Sequence, residues 1–215
     1  MIFELHNFGY SEYALKQMEK NNEPPVVYEK PSIESVLKRF GSKGGSMLDI
    51  GAHIGYWSIN CSEIFDEIHA YEPNPFLLHI LSHNVYKYGN IQVHPYGVSE
   101  KEEMIDFSYV PNVLAGMLGS GAYSYEKRRA SSGLMKDTPI ESIKVFVAPP
   151  RVKKVNFIKI DVEGMESRVL EACSIYRDQN PLLHIEMHDE DRKSILEWVE
   201  IEEHIDEHFY YARYK

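Results

Sequence analysis

Residues 46–57, Ser46-Met47-Leu48-Asp49-Ile50-Gly51-Ala52-His53-Ile54-Gly55-Tyr56-Trp57, read as a short apolar strand that ends in an acid and a glycine and turns at once into a helix. Gly51 lets the backbone approach a ligand closely, and the start of the following helix offers N–H groups to an anion. A dinucleotide site wants the spacing Gly-x-Gly-x-x-Gly, which accommodates a pyrophosphate. Here Gly51 and Gly55 are spaced Gly-x-x-x-Gly, with His53 between them. That spacing disfavours NAD or FAD. It suits a ligand with one amino-acid carboxylate and ammonium, Asp49 helping to receive the cation. Tyr56 follows the turn within reach of such a ligand, while Trp57 falls on the core side.

Outward from this segment, short apolar runs alternate with helix-period stretches, the pattern of βαβ units around a mostly parallel sheet. Strands are expected at Met47–Ile50, Ile68–Tyr71, Ile91–His94, Phe157–Val162 and Leu182–Met187. Helices are expected at Ile54–Phe65, Pro75–Lys87, Gly164–Cys173 and Asp191–His204. Residues 1–45 read as an N-terminal helical cover, with helices over Glu12–Lys20 and Ser32–Phe40, and residues 46–215 as one ligand-binding domain. One section breaks the alternation. Met104–Val110 and Ile143–Ala148 read as strands of an inserted hairpin, and the Gly/Ser/Asn-rich span of about 111–139 between them reads as a lid.

Further acids fall at strand ends. Glu72, in Tyr71-Glu72-Pro73-Asn74-Pro75, lies about 20 residues past the glycine turn, where a carboxylate receives both ribose hydroxyls of an adenosine ligand. Asn74 and Pro75 then border the adenine. The run Phe157-Ile158-Lys159-Ile160-Asp161-Val162-Glu163-Gly164-Met165-Glu166 delivers more acids into a turn, and His184-Ile185-Glu186-Met187-His188-Asp189 ends the next strand. Ligands of open α/β sheets bind beyond the carboxyl ends of the strands, so all four turns converge on one rim.

Composition narrows the classes. A net charge of −10, from 23 basic and 33 acidic residues, argues against a nucleic-acid binder. The cluster Lys127-Arg128-Arg129 reads as a solvated loop, with a grip on an anionic substrate as the sharper option. Cys61 and Cys173 sit in apolar helical patterns as reduced, buried thiols, without the paired spacing of a zinc site. The first residues lack the signature of a secretory signal, and no apolar run reaches bilayer length. A cytoplasmic protein that works without a membrane is expected.

The motifs DIGAHIGYWS, AYEPNPF, NFIKIDVEGMESRVL and LLHIEMH, in this order, resemble the FkbM family of methyltransferases over roughly Ser46 to His188. The IDVEGME block is the most specific part of the likeness. The family usually has Asn where this chain has His53, and usually runs longer after the last motif, so Phe209–Lys215 reads as an abbreviated final strand. The resemblance implies a Rossmann-like class I methyltransferase fold and S-adenosylmethionine as donor, with O-methylation of a hydroxyl on a small molecule or sugar. It carries donor contacts onto Asp49, Gly51, Gly55, Glu72 and Asn74, with Ala52, His53, Tyr56 and Pro73 beside them. Asp161 and Glu163 fall near the transfer site.

An alcohol acceptor has to lose a proton, which calls for a general base or a metal. Asp161, Glu163 and His188 are the candidate bases. Asp161, Glu186 and His188 together form a possible Mg²⁺ set, less favoured than a metal-free site. Two other readings stay open: a nucleotide-sugar or NAD-binding Rossmann enzyme, and a catalytically silent S-adenosylmethionine-binding scaffold. No motif encodes the acceptor or the oligomeric state.

Overall fold

The computed structural model of the chain describes residues 30–41, 44–109, 141–189, 191–206 and 208–215. The expected helix over Glu12–Lys20, the lid at 111–139 and the basic cluster at 127–129 lie outside them. Helix α1 (Lys30–Phe40) has Pro31 in its first turn and Lys38 and Arg39 in its last. Gly41, at φ 50, ends it by returning its N–H to the Leu37 carbonyl. Strand β1 (Ser46–Ile50) follows, then helix α2 (Tyr56–Cys61), strand β2 (Glu67–Tyr71), helix α3 (Pro75–Val85) and strand β3 (Ile91–His94). Three strands make a separate small sheet: β4 (Gly97–Val98), β5 (Glu103–Tyr109) and β6 (Glu141–Ala148). The main sheet resumes with β7 (Phe157–Ile160), helix α4 (Glu166–Cys173) and a 3₁₀ turn at Ser174–Gln179. Strand β8 (Leu182–Glu186), helix α5 (Arg192–Trp198), β9 (Val199–Asp206) and β10 (Phe209–Tyr214) complete it.

The seven-stranded sheet has the order β3-β2-β1-β7-β8-β10-β9. Every neighbouring pair from β3 to β8 is parallel, and β10 alone runs against the rest, inserted antiparallel between β8 and β9. This is the expected α/β architecture of a mostly parallel sheet flanked by helices. On one face Leu48, Ile50, Ile158, Ile160, Leu183 and Ile185 pack against Val169 and Leu170 of α4 and Ile195 of α5. On the other, Met47, Ile68 and Phe157 meet Ile33 and Val36 of α1, and Trp57 and Cys61 of α2. Strands buried on both faces read as mostly apolar runs, as β1 and β7 do around the buried Asp49 and Lys159.

The inserted hairpin is present as expected, β5 and β6 pairing antiparallel from Glu103↔Val147 to Tyr109↔Glu141. Its apolar face, Ile105, Phe107, Val145 and Val147, closes on Met165. Arg168 of α4 clamps Glu100 (2.8 and 2.9 Å) and Glu103, which ties the insert to the main sheet. Among the described residues no helix is long and apolar enough to cross a membrane.

Two helices differ most from expectation. The helix expected over Asp191–His204 stops at Trp198, and Val199–Asp206 is a strand. Glu-rich residues carry helix propensity, but pairing with β10 across two register shifts overrides it. The helix expected over Ile54–Phe65 starts only at Tyr56, because Gly55 at φ 90 occupies its N-cap, and it ends at Cys61. At the other side of the sheet the Tyr211 hydroxyl donates to the buried Ser32 carbonyl at 2.8 Å, fastening α1 to β10. Tyr211→Phe is expected to cost about 1 kcal/mol, read as a lowered urea midpoint at constant slope.

Candidate active site

Registers set the site. Ile50 pairs with Tyr71 on one side and Ile160 on the other, and Ile160 pairs with Ile185. The next residue on each strand, Gly51, Glu72, Asp161 and Glu186, therefore lies along one rim at the carboxyl ends.

The glycine turn is held from several directions. Gly51 and Ala52 donate their N–H groups to the Tyr71 carbonyl at 3.1 and 2.9 Å, and Gly55 donates to Ala52 O at 2.8 Å. Asn84 of α3 donates to the Ile54 carbonyl at 2.8 Å. A Cβ at Gly51, φ 78, would stand 1.9 Å from the Asp161 carbonyl oxygen. The close approach that requires glycine here is thus made by the neighbouring strand's own backbone. At Gly55 a Cβ would stand 2.9 Å from Leu81 on α3. His53 occupies the left-handed region at φ 53. Among non-glycine residues Asn, Asp and His enter that region most readily, so one backbone demand accounts for both His53 and the Asn usual in the resembling family.

Glu72 is 5% exposed, and each of its oxygens accepts one backbone N–H, Oε2 from His53 at 2.9 Å and Oε1 from Asn74 at 2.8 Å. Burial pushes its carboxyl up to about 7, against the lowering effect of those two N–H groups and of Lys159. Each oxygen retains a second lone-pair direction for a further donor. Asn74 caps α3 by accepting the Phe76 N–H at 3.0 Å, and Pro73 packs beneath Gly97 of the insert. Tyr56, half-buried, opens α2 directly after Gly55.

Beyond β7, Asp161 starts a turn in which Glu163 and Gly164 both take positive φ, 56 and 108. Glu166 closes that turn by accepting the Gly164 N–H on both oxygens at 3.0 and 3.1 Å, and burial pushes its carboxyl up to about 7. Asp161, Glu163 and Glu186 each offer a carboxylate oxygen within 4.8 Å of the others, a set able to hold a cation. His188 stands outside this group, with its Nε2 3.0 Å from Glu186 Oε1 and its ring against His208. Of the expected metal set, then, Asp161 and Glu186 are brought together, with Glu163 in the third place. Burial would raise the Asp161 carboxyl, but the Lys159 ammonium, a hydrogen bond with Glu186 and the nearby His53 hold it below the usual range.

Asp49 is fully buried and turned into the fold. Its Oδ2 accepts from the Ser58 N–H at 3.0 Å and the Ser58 hydroxyl at 2.6 Å, fixing the first turn of α2. Burial raises its carboxyl despite Lys159, 3.8 Å from Oδ1. Lys159 is 3% exposed, donates to the Gly51 carbonyl at 2.7 Å and lies 3.5 Å from Asp161 Oδ2. Neither Lys159 nor Ser58 was singled out from the sequence. The signal was present as a lone lysine inside the apolar run Phe157-Ile158-Lys159-Ile160, since lysine is almost never fully buried without a partner.

The sequence matches the family model described as the methyltransferase FkbM domain over residues 49–210. Among solved structures, a methyltransferase FkbM from Methylobacillus flagellatus KT aligns with a TM-score of 0.53 at 17% identity, over 80% of this chain and 44% of that one. This chain therefore spans less than half the length of that structure. A SAM-dependent methyltransferase from Aquifex aeolicus aligns with a TM-score of 0.50 at 15% identity, over 93% of this chain and 98% of that one. At these identities the structural likeness establishes the fold alone. Comparison with curated proteins gives no match.

Proposed function

The chain belongs to the FkbM family of methyltransferase domains, and from that premise we propose that it transfers a methyl group from S-adenosylmethionine to a hydroxyl of a small molecule or sugar. The observation that carries the donor is Glu72, a buried carboxylate at a strand end with one amide on each oxygen and room in its lone pairs for two adjacent hydroxyls. A ribose diol is that pair of donors. S-adenosylmethionine, when bound, supplies an electrophilic methyl on a sulfonium. The chain's own part is orientation and proton removal. The turn Gly51–Gly55 and Asn74 shape the donor cleft, with Ala52, His53, Tyr56 and Pro73 along it. Asp161, kept ionised by Lys159, accepts the acceptor's proton, and Glu163 and Glu186 flank it. His188, tied to Glu186, orients that carboxylate. Family membership sets aside the NAD and nucleotide-sugar readings.

Titration calorimetry with S-adenosylmethionine and S-adenosylhomocysteine tests the donor, and absence of heat with both would sink the proposal. Glu72→Gln is expected to weaken S-adenosylhomocysteine by about 10–100-fold, since hydrogen bonds to a charged group contribute roughly 1.5–3 kcal/mol. A pH dependence follows from the same carboxyl. Its free-state value near 7 means that a diol-donating ligand has to displace a proton below that pH. Affinity should be flat above about pH 8 and fall toward tenfold per unit below about pH 6. An affinity independent of pH from 5 to 8 would remove Glu72 from the ligand.

A further inference from the structure

The row Asp49, Lys159, His184 crosses three adjacent strands in direct register, Asp49↔Lys159 and Lys159↔His184, on the face covered by α1, α2 and α3. His184 is fully buried, packed on Trp57 at 4.6 Å and Phe209 at 5.2 Å, and neither ring nitrogen has a hydrogen-bond partner among the described residues. It is held neutral, because burial and Lys159 push it down to about 3. Lys159 is thus the basic member of a buried polar row that otherwise holds an acid and a neutral imidazole.

Its surroundings lead to both halves of the site. The ammonium donates to the Gly51 carbonyl at 2.7 Å, and two residues along that turn the His53 N–H binds Glu72 at 2.9 Å. On its other side stands Asp161 at 3.5 Å. We propose that Lys159 is a positioning residue for the donor: its buried ammonium pins the glycine turn from beneath and places a positive charge under the strand ends that carry Glu72 and Asp161. This rests on the donor reading given above. It assigns Lys159 a role without ligand contact, because its reach is taken up by a backbone carbonyl and two carboxylates.

The charged groups facing Glu72 are Lys159 on β7 and Asp49 on β1, joined by the backbone N–H groups of His53 and Asn74. Removing the lysine charge leaves Asp49, which opposes ionisation. Loss of affinity should therefore be uneven across pH, which a purely structural filler would not produce. In Lys159→Met, S-adenosylhomocysteine binding should weaken by at least about 30-fold at pH 7 and recover to within about fivefold of wild type by pH 9, its midpoint shifted upward. Lys159→Met binding within threefold of wild type at pH 7, or an equal loss at every pH, would overturn the proposal.

If Lys159→Met does not fold, the wild-type protein decides. With ¹⁵N-labelled lysine, one ammonium signal protected from solvent exchange should shift on addition of S-adenosylhomocysteine. A spectrum without a protected ammonium, or one unmoved by the ligand, refutes the role. If the wild type itself fails to bind S-adenosylhomocysteine, it is the donor reading that falls. Binding by the wild type with an unchanged Lys159→Met variant overturns only the role of Lys159.

Discussion

Asp161→Asn is expected to lower methyl transfer by about 10²–10⁴-fold, the usual contribution of a positioned general base, while S-adenosylhomocysteine still binds. Asp161 follows the end of β7 in line with Gly51 and Glu72, partly open to solvent, and its carboxyl is held below the ordinary range by Lys159, Glu186 and His53. Asparagine keeps the shape and removes the proton acceptor. The effect belongs on turnover, read as tritium moved from labelled S-adenosylmethionine into a panel of hydroxylated small molecules. Glu163→Gln serves as the comparison, because Glu163 lies in the same carboxylate group. A larger loss in Glu163→Gln than in Asp161→Asn would reassign the base. A wild type that binds donor with no turnover on any hydroxylated compound, unaltered by Asp161→Asn, would instead fit a silent binding protein.

Gly51→Ala should destabilise the fold by about 3–5 kcal/mol, among the largest effects a single methyl can have. The added carbon would stand 1.9 Å from the Asp161 carbonyl oxygen at a φ of 78, so the cost combines a steric overlap with a left-handed backbone. Relief has to come from backbone, because the obstructing atom is no flexible side-chain end. Separation of β1 from β7 would also lengthen the Lys159 bond to the Gly51 carbonyl. Gly89→Ala is the matched control, with nothing within 4 Å of its added carbon. Urea unfolding of the two variants should differ by several kcal/mol. A Gly51→Ala variant within 1 kcal/mol of wild type would show that the strand ends can separate freely.

Much of the fold was legible in the chain. Mostly apolar runs at Met47–Ile50, Phe157–Ile160 and Leu182–Glu186, each broken by one or two polar residues, mark strands buried on both faces, and Pro75 after Asn74 marks a helix start. Both signals are local, so they survive without knowledge of the partner strands. The stretch Val199–His204 reads as helix because its acids favour a helix locally, while the bond pattern that makes Val199–Asp206 a strand comes from β10.

The sequence by itself determined the sheet's parallel core, the inserted hairpin and the acids and glycines along one rim, because each is written in spacing and in residue type. What only the tertiary structure decided is how those groups divide their work. Asp49 faces inward to Ser58, Gly51 is glycine for the Asp161 backbone, and Lys159 joins the two turns from below. Those assignments depend on registers between strands more than a hundred residues apart in the chain, such as Asp49↔Lys159, which no local pattern encodes.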